Sequence, residues 1–195
     1  MAAGFMRTVL IAGTAMSLLF ATTHATAELA PNDSAELVRI FEQDQADRKD
    51  PTFPLARMLE RDSARRQRVL DMLEHGLVRT SNDHYYAAFV FQHGETTEDA
   101  KRAYGLAVMA RSLSHEPEDE KQLAWVTCAT WDRLMMRYEC PQWYGTQYVI
   151  GDDGERWVLY QFDRSIVSQA EREALMLEPL ARVAESFPRV ARPAR

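Results

Sequence analysis

The chain has 195 residues, 46% hydrophobic and 27% charged, with 8 Gly and 8 Pro, which excludes a collagenous, low-complexity or wholly disordered protein. Lysine and arginine total 23 against 29 aspartate and glutamate, a net charge of −6, so neither nucleic acid nor an anionic membrane surface suits it as a partner. Two cysteines are too few for a disulfide-dense scaffold.

The first stretch reads as a secretory signal peptide over residues 1–27. Arg7 is the charge of a short n-region, Val9 to Phe20 form an apolar run, and Ala25-Thr26-Ala27 supplies the small-x-small cleavage pattern. The run is short for a bilayer span of ~20 residues. A periplasmic or secreted protein of residues 28–195 is expected, forming a single domain that does not meet the membrane once the leader is removed.

Helical periodicity then dominates. Asp33 and Glu36, spaced as a capping box, open a first helix running to about Arg48. Pro51 and Pro54 break it, and a second helix runs from Leu55 to His75, stopping at Gly76. A third, Asp83 to His93, is apolar nearly all round and should be central. Thr96 and Thr97 start a fourth, whose Ala100, Ala103, Ala107 and Ala110 permit close packing, and Pro117 stands near the first turn of a fifth reaching Arg137. Gln147–Ile150 and Trp157–Gln161 flank a Gly-Asp-Asp-Gly turn and predict a β-hairpin. A last helix is expected from Ser168 to Glu185, broken near Pro179. The predicted fold is mainly α, a bundle-like array of about six helices with a small hairpin near the C-terminal third.

Polar residues interrupt the apolar stripes. Leu37, Ile40 and Phe41 are continued by Asp44 and Arg48; Leu55, Leu59, Val69 and Leu73 are interrupted by Asp62 and Arg66. His93, with Gln92 beside it, continues Tyr86, Phe89 and Val90, and Asp132, followed by Arg133, continues Trp125 and Ala129. A charge is buried only when paired, so Asp62 with Arg66 suggests a structural ion pair. An imidazole beside a carboxylate suits proton transfer near neutral pH, which makes His93, Asp132 and Asp44 the catalytic candidates. A core histidine bonded to a carbonyl would give the same pattern.

The loop Pro141–Gln147 follows the fifth helix. Gly145 there offers a positive φ or a close backbone approach. Gln142 and Gln147 supply paired donors and acceptors, and Trp143 or Tyr144 a stacking surface. With Arg48, Gln92, Arg133, Gln142, Tyr144 and Gln147 as contacts, a small neutral polar ligand, a glycan or peptide, is expected. Binding motifs for nucleotides, zinc and calcium do not occur. His75, His84 and His93 fall on different faces, so no metal and no cofactor is expected. Cys128 and Cys140 are separated by helix, and two buried free thiols are expected.

Asp44-Gln45 with Arg48, Asp83 with the Phe91-Gln92-His93-Gly94 helix end, Asp132-Arg133 and Gln142-x-Tyr144-Gly145-Thr146-Gln147 resemble an uncharacterised bacterial family of unknown function over about residues 35 to 178. The resemblance implies that these residues belong together but supplies no activity. The chain departs from it at Glu139 and Cys140, where those proteins carry Gly, which is expected to alter the turn. Three readings remain open: a metal-independent hydrolase or lyase on a cell-envelope glycan or peptide, a non-catalytic binding or inhibitor protein, and a purely structural polar network.

Overall fold

The computed structural model describes residues 32–151, 157–179 and 182. The expected leader over 1–27 lies outside them. Among the described residues the chain forms six α-helices and one antiparallel pair of strands: α1 (Ala35–Lys49), α2 (Leu55–Glu74), α3 (Ser81–Gln92), α4 (Thr97–Leu113), α5 (Glu120–Arg137), β1 (Tyr148–Ile150), β2 (Trp157–Leu159) and α6 (Gln169–Ala174). The mainly helical array with a small hairpin is therefore the observed fold class.

Side-chain caps fix most helix starts. Thr80, Thr96 and Ser168 each accept from the third residue of their helix, and Asp83, Asp99 and Glu171 return the bond. Such a cap contributes about 1 kcal/mol. Ser34, rather than the expected Asp33, caps α1. Asp33 instead accepts from Thr80 Oγ1 and Asn82 Nδ2, and Glu36 pairs with Arg68, because tertiary partners outcompete the local box. Pro117 begins a 3-10 turn, Pro117–Asp119, that leads into α5.

Three helices share one kind of ending. At α2 the Leu77 N–H bonds the Met72 carbonyl and the Gly76 N–H bonds Leu73, with Gly76 at φ 64°. At α5 the same two bonds run from Cys140 to Met135 and from Glu139 to Met136, with Glu139 at φ 58°; at α6 Met176 holds the left-handed position at φ 54°. Glu139 thus places an L side chain where glycine is favoured. The first part of the expected last helix is shorter than expected: α6 stops at Ala174, since the Met176 turn closes its carbonyls, and the part expected beyond Pro179 lies outside the described residues except for residue 182, which is helical.

The core sits around α3, which packs against α1, α2, α4 and α5. Leu37, Val69, Met72, Ala87, Ala88, Val90, Phe91, Ala103, Ala107 and Val126 form its buried centre. Alanines at 100, 103, 107 and 110 are all buried on α4, as close helix packing requires. Phe41 of α1 stacks among Tyr85, Tyr86 and Phe89 of α3 with ring centroids 4.7 to 6.0 Å apart, and each such pair adds about 0.5–1.5 kcal/mol beyond its buried area. The stripe of α2 is displaced from the expected one. Leu55 and Leu59 are exposed, while Asp62, Arg65, Val69 and Met72 face inward, because α1 presents carboxylates rather than apolar groups at that height.

The strands pair Tyr148 with Leu159, Val149 with Val158 and Ile150 with Trp157. Of the expected turn, residues 152–154 lie outside the described residues. No helix among the described residues is long and apolar enough to cross a membrane. Cys128 is buried, with its thiol pushed up to about 12 by burial. Cys140 is exposed, contrary to the expectation of two buried thiols, because the α5 ending turns it outward; both cysteines are free.

Candidate functional site

The sequence-predicted residues fall into three groups. The first is a charged network joining α1, α2 and α3. Arg48 reaches both Asp44 and Asp62 at 2.7 Å, and Arg65 bonds Asp62 at 2.7 Å and pairs with Asp47. Asp44, Asp47, Asp62 and Arg65 are all buried. The expected partner of Asp62 was Arg66. One residue earlier, Arg65 holds that place, and Arg66 lies 3.8 Å from Asp99. The i,i+3 neighbour faces the core and the i,i+4 neighbour has rotated toward α4.

His93, the C-cap of α3, places Nδ1 3.2 Å from both Asp44 carboxylate oxygens. That fixes Nδ1 as the proton-bearing nitrogen and leaves Nε2 without a partner among the described residues. Burial raises the Asp44 carboxyl, but His93, Arg48 and Gln45 outweigh it, and the group sits below its ordinary value. Gly94 follows with no space for a side chain: a Cβ there would lie 2.3 Å from Asp99 Cβ in the α4 cap.

The second group is a clamp between α5 and the loop behind it. Fully buried Asp132 accepts the backbone N–H of Trp143 at 2.8 Å, of Tyr144 at 3.0 Å and of Thr146 at 3.0 Å, as well as the Thr146 hydroxyl at 2.8 Å. Burial pushes this carboxyl up, opposed by those same bonds. Gln142, also fully buried, donates to the Gln147 and Tyr160 carbonyls and accepts the Gln147 N–H. Gln147 donates to the Ala129 carbonyl at 3.0 Å, and Arg172 donates to that of Tyr144 at 2.6 Å. Gly145 takes φ 70° at the loop's apex. The hydrogen bonds of Asp132 all go to this loop and those of His93 go to Asp44, so the two do not form a hydrogen-bonded dyad.

The third group lines a pocket of about 340 Å³ between α3, α5, the loop and the strands. Gln92, Arg133 and Gln147 were anticipated there; Trp125, Thr146, Tyr148 and Trp157 complete it. Trp125 was expected on a core-facing stripe and Trp157 only as a strand residue, yet they are 43% and 62% exposed. They supply the flat walls that Trp143 and Tyr144 were expected to give. Trp143 packs edge-on against Trp131 at 4.7 Å instead.

Arg133 is the unusual member. No hydrogen bond or ion pair engages it among the described residues, and its Nε is shut from solvent without a partner. Burial, and then the like charges of Arg137 and Arg48, hold it below its ordinary value. Gln92 Oε1 is also buried and without a partner among the described residues. No group of three or more His, Cys, Asp or Glu among the described residues is placed to hold a metal ion. The chain matches no protein-family model, no curated protein and no solved structure in the comparisons made.

Proposed function

We propose that this is an exported, non-catalytic binding protein that takes a small polar ligand, a glycan or peptide, into the pocket lined by Gln92, Arg133, Gln147, Trp125 and Trp157. The observation that carries this reading is the contrast inside the polar set. Asp132 and Gln142 are saturated by the chain itself, whereas Arg133, which lines the pocket, makes no hydrogen bond or ion pair among the described residues and has terminal nitrogens that are not shut from solvent. Exposed indole faces beside a few convergent polar groups are what small-ligand sites need. The clamp behind the loop makes that wall rigid, which lowers the ordering cost of binding. The resemblance and the leader-like start support, respectively, a shared residue pattern and an envelope location.

The test is titration with peptidoglycan-derived glycan fragments and short peptides, followed by indole fluorescence. A saturable change that Trp157→Ala abolishes, with an unchanged fold and no product formed, is expected. A flat titration for every fragment would refute the reading.

One observation favours a second reading. His93 is oriented through Nδ1 by Asp44, with Nε2 unpartnered among the described residues and its side chain 16% exposed, the posture of a general acid or base. Turnover of any fragment that His93→Ala abolishes without loss of binding would favour this reading over the first.

A further inference from the structure

Arg133 and Arg137 lie one helical turn apart on α5, an arrangement that like charges disfavour. Arg137 donates to the Gly94 carbonyl at 2.9 Å, has an unpartnered buried Nε and makes no ion pair among the described residues. Arg48, the third guanidinium acting on Arg133, has its charge matched by Asp44 and Asp62. A protein of net charge −6 therefore keeps two cations on α5 without carboxylate partners among the described residues, Arg133 lining the pocket and Arg137 one turn further along, although buried or half-buried charge is costly unless it is paired. The unsealed part of Arg133 is its terminal nitrogens, since Nε is shut away.

We infer that the ligand of this pocket carries a carboxylate, received by the terminal nitrogens of Arg133 under the added positive field of Arg137, with its flat or apolar part against Trp125 and Trp157. This rests on the binding reading above and refines the expected neutral ligand into an acidic one. A carboxylate is favoured because a guanidinium fork matches its planar geometry and because charge-assisted bonds in a partly desolvated site are the strong ones. Two sources share this chemistry, an acidic sugar and a peptide C-terminus. Both also bring hydrogen-bond donors that the side-chain carbonyl of Gln147 in the pocket wall can accept.

The experiment uses matched probes and the mature chain. N-acetylmuramic acid is compared with N-acetylglucosamine, which lacks its carboxylate, and N-acetyl-alanyl-alanine with its C-terminal amide, by calorimetric titration. In the parent, the acid of one pair should bind about tenfold or more tightly than its neutral partner, and which pair does so identifies the source. Arg133→Gln should bring the acid down to the neutral partner's affinity, while Arg133→Lys keeps part of the difference. Equal binding of acid and neutral partner, or an unaltered preference in Arg133→Gln, would overturn the carboxylate inference and leave the pocket reading standing. No binding by any of the four probes would overturn both. An unfolded Arg133→Gln protein leaves the parent comparison and the Arg133→Lys variant to decide.

Discussion

Asp132 and Arg133 are consecutive residues of α5 with opposite surroundings. The carboxylate is fully buried and filled by three backbone N–H groups and a hydroxyl; the guanidinium beside it has no partner among the described residues. Because adjacent helix positions differ by about 100° in direction, one turns toward the loop and the other toward the pocket. The comparison teaches that polarity on an apolar stripe does not by itself mark a site. What distinguishes the two is whether the fold has already used the hydrogen bonds.

The sharpest way to break the comparison is to remove the clamp. Asp132→Ala strands three part-buried N–H groups, each worth about 1–3 kcal/mol when left unsatisfied, so unfolding in urea should show a loss of about 3–5 kcal/mol. A loss below about 1 kcal/mol would mean that the loop is held by something else.

The α1–α2–α3 network should respond more mildly, since Asp62 and Asp47 remain to hold Arg48 and Arg65 when Asp44 is altered. Asp44→Asn is expected to cost about 2–3 kcal/mol at neutral pH, less than breaking an isolated buried pair. Asp44's folded value lies below its ordinary one, so its contribution is present above about pH 4 and fades as pH falls through the folded value. Thermal midpoints of parent and variant should therefore converge on acidification; a widening gap would contradict the assignment.

Gly94→Ala tests the close approach of the α3 end to the α4 cap. Its Cβ would meet Asp99 Cβ, near the backbone rather than at a flexible tip, and a loss of about 1–3 kcal/mol in thermal unfolding is expected. An unchanged midpoint would show that the cap yields freely.

Two substitutions should raise stability. Arg133→Met replaces an unpaired, partly desolvated cation and should gain about 0.5–1 kcal/mol while abolishing ligand binding, the reverse of its neighbour's behaviour. A marked loss of stability would mean that the guanidinium has a structural partner. Glu139→Gly relieves a left-handed position costing about 1–2 kcal/mol, offset by the roughly 0.5–1 kcal/mol of added chain entropy. The net gain of about 0.5 kcal/mol should appear as a small rise in the denaturant midpoint, and a fall in midpoint would show that the Glu139 side chain contributes more than its strain.

Much of the helical order was legible in the sequence because it is written locally: 3.6-residue periodicity, threonine caps before acids, prolines between helices, the alanine face of α4 and the glycines at 76 and 145 all act within a few residues. The polar positions on the stripes were legible for the same reason: Asp44, Gln92 and Gln147 are buried, Arg48 and His93 reach Asp44, and Arg133 lines the pocket. Their partners were not. Whether Asp62 takes Arg65 or Arg66, whether Asp132 faces His93 or a loop, and whether Trp125 and Trp157 are buried or form walls depend on how far α1, α2 and the strands rotate against α3 and α5. Hydrogen bonds require alignment within a few tenths of an ångström between segments 10 to 50 residues apart in the chain, and periodicity fixes which face a residue occupies without fixing what that face meets. The early stop of α6 was hidden for a similar reason. Six residues with a good cap look the same in sequence as the start of eighteen, and the turn at Met176 that ends α6 uses a residue whose composition gives no signal.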